Sequence, residues 1–97
     1  SEADVAEAIA AAQDAANDPA WKRLRPHERA AFLYRISDGI AAKIERIAQT
    51  QTRDTGKTLA ETRALAASAA GTFRYMAAAL ETMEEALTPP RGDVLTF

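Results

Sequence analysis

The stretch Asp54-Thr55-Gly56-Lys57-Thr58-Leu59-Ala60-Glu61 decides the fold. Gly56 suits the left-handed residue that ends a helix, because glycine has no side chain to clash there. Thr58 with Glu61 three residues later is a capping box, which opens the next helix by satisfying its free backbone N–H groups. A stop and a start this close together predict an antiparallel helical hairpin.

Upstream of the turn, Leu33, Ile36, Ile40, Ile44 and Ile47 advance by three or four residues, with Phe32 beside them. That period predicts a helix over 26–53, opened by Pro26 at a position where its missing N–H costs nothing. Arg25 is a poor cap for it. Downstream, Leu59, Thr62, Leu65 or Ala66, Ala69, Phe73, Met76, Leu80, Met83 and Leu87 form a seam, and predict a helix over 58–87. Gly39 and Gly71 fall inside these helices and point to tight contacts there. Thr88-Pro89-Pro90 stops the second arm, Arg91-Gly92-Asp93 turns, and 94–97 begins a strand.

Before the hairpin, Ser1 with Asp4 caps a helix over 1–16, whose Val5, Ile9, Ala12 and Ala16 make a narrow stripe of small residues. Asn17-Asp18-Pro19 breaks it as a turn, and Trp21 and Leu24 anchor the connection. At 1.5 Å per residue the two hairpin arms span roughly 40–45 Å, against about 24 Å for the first helix. One short helix cannot cover both seams, and a lone strand is unstable in water. The fold is therefore expected to be completed by protein outside this stretch, either another chain or the rest of a longer one. The expected class is mainly α: three helices, the last two a long antiparallel hairpin, then a short C-terminal strand.

Composition narrows the function. The chain has 97 residues, a formal charge of −2, no cysteine and one histidine. No thiolate nucleophile, disulfide or thiolate metal site can exist here, and no multi-histidine site. The acidic balance provides no field for nucleic acid or anionic membrane. No stretch is long and apolar enough to span a bilayer, so the expected location is the cytoplasm. Alanine makes up about a quarter of the residues, so the 47% hydrophobic content buries less area than it promises.

The residues that could carry chemistry are few. Gly56-Lys57-Thr58 imitates the end of a phosphate-binding loop, but Gln51 stands where that loop needs glycine and a helix precedes it. His27 has no nucleophile or second base nearby in sequence. Lys22, Arg23, Arg25 and Arg29 surround Trp21, with Glu28 among them, a pattern of packed tryptophan and solvated charge. Glu81, Glu84 and Glu85 form the wet face of a long helix. Phe73, Tyr75 and Met76 are expected to be packing residues rather than a cofactor box. The residues alone yield no catalytic, cofactor-binding or metal site.

The order of segments nonetheless resembles a known family. An acid-capped alanine helix precedes Pro19-Ala20-Trp21-Lys22-Arg23-Leu24 and Pro26-His27-Glu28-Arg29-Ala30. Then come Leu33-Tyr34-Arg35-Ile36, Asp54-Thr55-Gly56-Lys57, Thr72-Phe73-Arg74-Tyr75 and Pro90-Arg91-Gly92-Asp93 before the strand. This is similar to the N-terminal portion of the NAD(P)-dependent aldehyde dehydrogenase superfamily, across essentially the whole chain. Arg25, Gln51 and Thr58 depart from the serine or threonine, glutamate and proline common there, at positions that concern capping and packing.

The resemblance implies that 1–97 is an incomplete part of a Rossmann-like α/β cofactor domain. The parent would oxidise an aldehyde to a carboxylic acid with hydride transfer to NAD or NADP, and would be a homo-oligomer. The partner of these helices would be the remainder of that polypeptide. The family's nucleophile, base and cofactor-contacting residues lie beyond the matched segment, so none carries over. Only Glu81 aligns with an acidic ligand of a structural monovalent cation, whose other ligands would come from elsewhere. Without the resemblance, the same residues describe a stand-alone helical interaction or dimerisation module, burying the Leu33–Ile47 and Phe73–Leu87 seams.

Overall fold

A computed structural model describes residues 1–83, 88–91 and 94–96. In chain order the elements are α1 (Glu2–Asn17), α2 (Pro19–Lys22), α3 (Pro26–Ala41), α4 (Ile44–Thr55) and α5 (Leu59–Glu81). Two short segments follow, β1 (Thr88–Arg91) and β2 (Val94–Thr96).

Local chemistry sets most of these boundaries. Ser1 and Asp4 make a reciprocal capping box on α1. Asp18 accepts from the Ala20 N–H at 2.8 Å, and Pro19 occupies the first position of α2. The segment expected to be only a turn is thus a helix start. At α3 the Arg25 side chain makes no cap, and the Glu28 carboxylate instead reaches back to the Arg25 N–H at 2.6 Å. Gly56 ends α4 with φ 75°, and Thr58 and Glu61 close the capping box of α5.

The expected architecture needs five corrections. The helix predicted over 26–53 is two helices, because Lys43 leaves the helical region at φ −121°, ψ 17°. Its N–H bonds Ile40 O at 2.9 Å, one residue short of the α-helical partner. No proline or glycine stands at 42–43 to announce this. The break lets α4 turn Ile44, Ile47, Ala48 and Thr52 back onto α5, each half-buried or buried.

The helix predicted over 58–87 ends at Glu81, with Thr82 at φ −103°, ψ 5° after it. Leu87 lies outside the described residues, as does Phe97. The C-terminal strand is not a lone one: β2 pairs antiparallel with β1, Thr88 opposite Thr96 and Arg91 opposite Val94, with an irregularity between. Pro89 and Pro90 have no N–H to offer a ladder, which confines β1 to a ribbon edge. The described residues therefore form five helices and a local ribbon. They contain no parallel sheet flanked by helices, so the Rossmann-like assignment is not supported. Gly39 and Gly71 are the fifth correction, since an added Cβ at either would meet nothing within 4 Å.

The hairpin itself is built from small residues. Ser37 Oγ donates to Ala70 O at 2.7 Å, Arg74 bonds Asp38 at 2.9 Å, and Tyr34 donates to Glu81 at 3.2 Å. Tyr34, earlier on α3, meets Glu81 at the end of α5, whereas Ser37 and Asp38 meet Ala70 and Arg74 further back, so α3 and α5 run antiparallel. Ala30, Ala48, Ala66 and Ala77 are almost fully buried, joined by Ser37 and Thr62. Alanines at the contact line let two backbones approach closely, but they leave the larger side chains at the edges.

Where α4 meets α5, the hydroxyls of Thr52 and Thr62 share a hydrogen bond of 2.8 Å. Replacing Thr62 by isosteric valine strands the Thr52 hydroxyl, and should cost about 1–2 kcal/mol in urea unfolding. The Thr52→Val/Thr62→Val pair should cost less than the sum of the two single changes, because no donor is then left without a partner. Additive costs would show that the pair is not coupled.

Candidate functional site

The phosphate-loop imitation is filled by the chain's own chemistry. Thr58 offers its N–H and hydroxyl to the Glu61 carboxylate at 3.0 and 2.9 Å, and Glu61 N–H returns to Thr58 Oγ1 at 3.3 Å. The anion attracted to the start of α5 is therefore Glu61 itself. Gly56 has open space around it and cradles nothing. These residues do not fit the phosphates of a dinucleotide, and no step of a reaction is derived through them.

The basic cluster is packed on aromatic rings. Arg29 lies 5.6 Å from the Trp21 ring centroid, Trp21 meets Phe32 edge-on at 5.5 Å, and Arg35 lies 5.4 Å over Phe32. Arg25 pairs with Glu28 and Arg23 bonds Pro19 O. His27 is exposed in the first turn of α3. Glu81 accepts from Tyr34, whose phenol is pushed up by burial first and by this carboxylate second. Glu84 and Glu85 lie outside the described residues. Among the described residues no three acidic, histidine or cysteine side chains gather. Phe73 is half-buried, whereas Tyr75 and Met76 are exposed at 69% and 53%, contrary to the packing expected of them.

An open groove of about 580 Å³ along α4, between Lys43 and Thr55, had no signal in the sequence reading. Ile47 supplies its apolar floor, and Arg46, Thr50 and Asp54 its polar walls.

Four carboxylates carry the electrostatics. Arg63 grips Glu45 through two bonds of 2.9 and 2.8 Å and holds its carboxyl below the usual range. The backbone N–H of Thr58 does the same for Glu61, and that of Arg25 for Glu28. The terminal ammonium lowers Asp4. A depressed carboxylate stabilises the fold above the unfolded pKa, and that stability is lost as pH falls through the folded value. Resistance to urea should therefore drop as pH is lowered from about 5 through the ordinary carboxylate range. Glu45→Gln with Glu61→Gln should flatten that dependence, and an unchanged pH profile would contradict these assignments.

The arrangement that remains is a two-sided layer. Steps of about 100° per residue place Ile36 a little over a quarter-turn from the buried Ala30–Ser37 line of α3, and Phe32 nearly opposite that line, where it meets Trp21. Leu65 and Met76 lie about a quarter-turn from the buried Thr62–Ala66–Ala77 line of α5. With the helices antiparallel, Ile36 falls on the same side as Leu65, Met76 and Met83, and these four are 42–53% exposed. The opposite side carries Arg74–Asp38, Tyr34–Glu81 and Arg63–Glu45. α1 touches α2 and no other described element, leaving Val5 and Ile9 about 60% exposed.

The sequence profile of the aldehyde dehydrogenase family matches residues 1–97. The chain belongs to the aldehyde dehydrogenase family. It is 39% identical over 98 residues to the fluoroacetaldehyde dehydrogenase of Streptantibioticus cattleyicolor, which covers 98% of this chain and 18% of that protein. It is 38% identical over 74 residues to the alpha-ketoglutaric semialdehyde dehydrogenase of Bacillus subtilis, covering 76% of this chain and 15% of that one. The (Z)-2-((N-methylformamido)methylene)-5-hydroxybutyrolactone dehydrogenase of Acinetobacter baylyi shares 33% over 82 residues, 84% of this chain and 17% of its own length. The chain thus spans less than a fifth of these curated relatives. No solved structure matches it. No helix among the described residues is long and apolar enough to cross a membrane.

Proposed function

We propose that these helices are the incomplete N-terminal part of the cofactor-binding domain of an NAD(P)-dependent aldehyde dehydrogenase, and are catalytically silent alone. The observation that carries this reading is the two-sided hairpin. One side carries ion pairs, and the other exposes the large apolar side chains Ile36, Leu65, Met76 and Met83 to solvent. A helical layer with such a strip is made to lie on a second layer. The whole enzyme would oxidise an aldehyde to a carboxylic acid, passing hydride to a nicotinamide dinucleotide held by residues outside 1–97. The cysteine nucleophile of that chemistry would also come from outside, since this chain has none. Glu81 is the position proposed to contribute one ligand to a structural monovalent cation. The assembled protein is proposed to be a cytoplasmic homo-oligomer.

A chimera tests the reading. Residues 1–97 replace the aligned stretch of the S. cattleyicolor enzyme, and fluoroacetaldehyde-dependent reduction of NAD(P) is measured. The chimera should turn over and the isolated 97-residue chain should not. A folded chimera without activity, or turnover by the isolated chain, overturns the proposal. A cooperatively melting dimer of the isolated chain would favour a stand-alone dimerisation module instead.

A further inference from the structure

We draw no further inference here: the strongest candidate, the exposed Arg29–Trp21–Phe32–Arg35 ladder on the outer side of α2 and α3, where the Arg29 Nε is buried without a partner, carries nothing because nothing in the structure shows what covers it.

Discussion

Replacing Ala77 by leucine should lower the thermal midpoint of the chain by about 10 °C, whereas Ala78→Leu, one residue along, should leave it nearly unchanged. Ala77 has no exposed surface and Ala78 faces solvent. The buried centre of the α3–α5 contact is Ala30, Ser37, Ala66, Ala70 and Ala77, flanked by the half-buried Leu33, Tyr34, Phe73 and Leu80. Three extra carbons at Ala77 must push the helices apart, at about 1–3 kcal/mol. They would also strain the Ser37–Ala70 hydrogen bond seven residues earlier on α5. At Ala78 the same carbons extend into water, where leucine is about as good a helix former as alanine. The measurement is helical circular dichroism on heating. Equal effects at the two positions would show that the helices are not closely apposed.

The same alanines explain how much of this molecule was legible in advance. Capping is written in short local patterns, so the turn at Gly56 and the boxes at Ser1–Asp4 and Thr58–Glu61 could be found from spacing alone. The start of α2 was read as a turn, although Asp18 followed by Pro19 is a cap followed by a first helical residue. The break at Lys43 was not legible, because the isoleucine period runs through it and no helix-breaking residue marks it. That bend is a tertiary choice, set by how α4 reaches the N-terminal half of α5 through Thr52–Thr62 and Glu45–Arg63.

The seams were legible only in part. Of the expected seam positions, Thr62 and Ala66 are buried and Leu33, Ile40, Leu59, Ala69, Phe73 and Leu80 half-buried. Ile36, Leu65, Met76 and Met83 stay exposed, while Ala30, Ser37, Ala70 and Ala77 take the rest of the contact line. Periodicity locates an apolar stripe to within about a quarter-turn, and that was the difference here. At the candidate site, the lack of cysteine is a fact of the sequence, whereas the groove along α4 left no sign in it. Family membership came from the order of segments rather than from any one of them.

The exposed strip holds the central claim, and one pair of substitutions separates its two possible meanings. Ile36→Lys with Met76→Lys places two ammonium groups on that strip, one from each helix. In the isolated chain both heads remain in water, so helical content should hold and binding of the apolar dye ANS should fall. In the chimera with the S. cattleyicolor enzyme the same lysines would be trapped between layers, and an unpaired buried charge is expensive. The decisive measurement is soluble yield and aldehyde oxidation of that double-lysine chimera against the unsubstituted one. A loss of about tenfold or more is expected, since several kcal/mol of destabilisation would exceed much of a typical domain's stability. Yield and turnover within twofold of the unsubstituted chimera would mean that the strip faces solvent in the finished enzyme, and the layered account would be wrong.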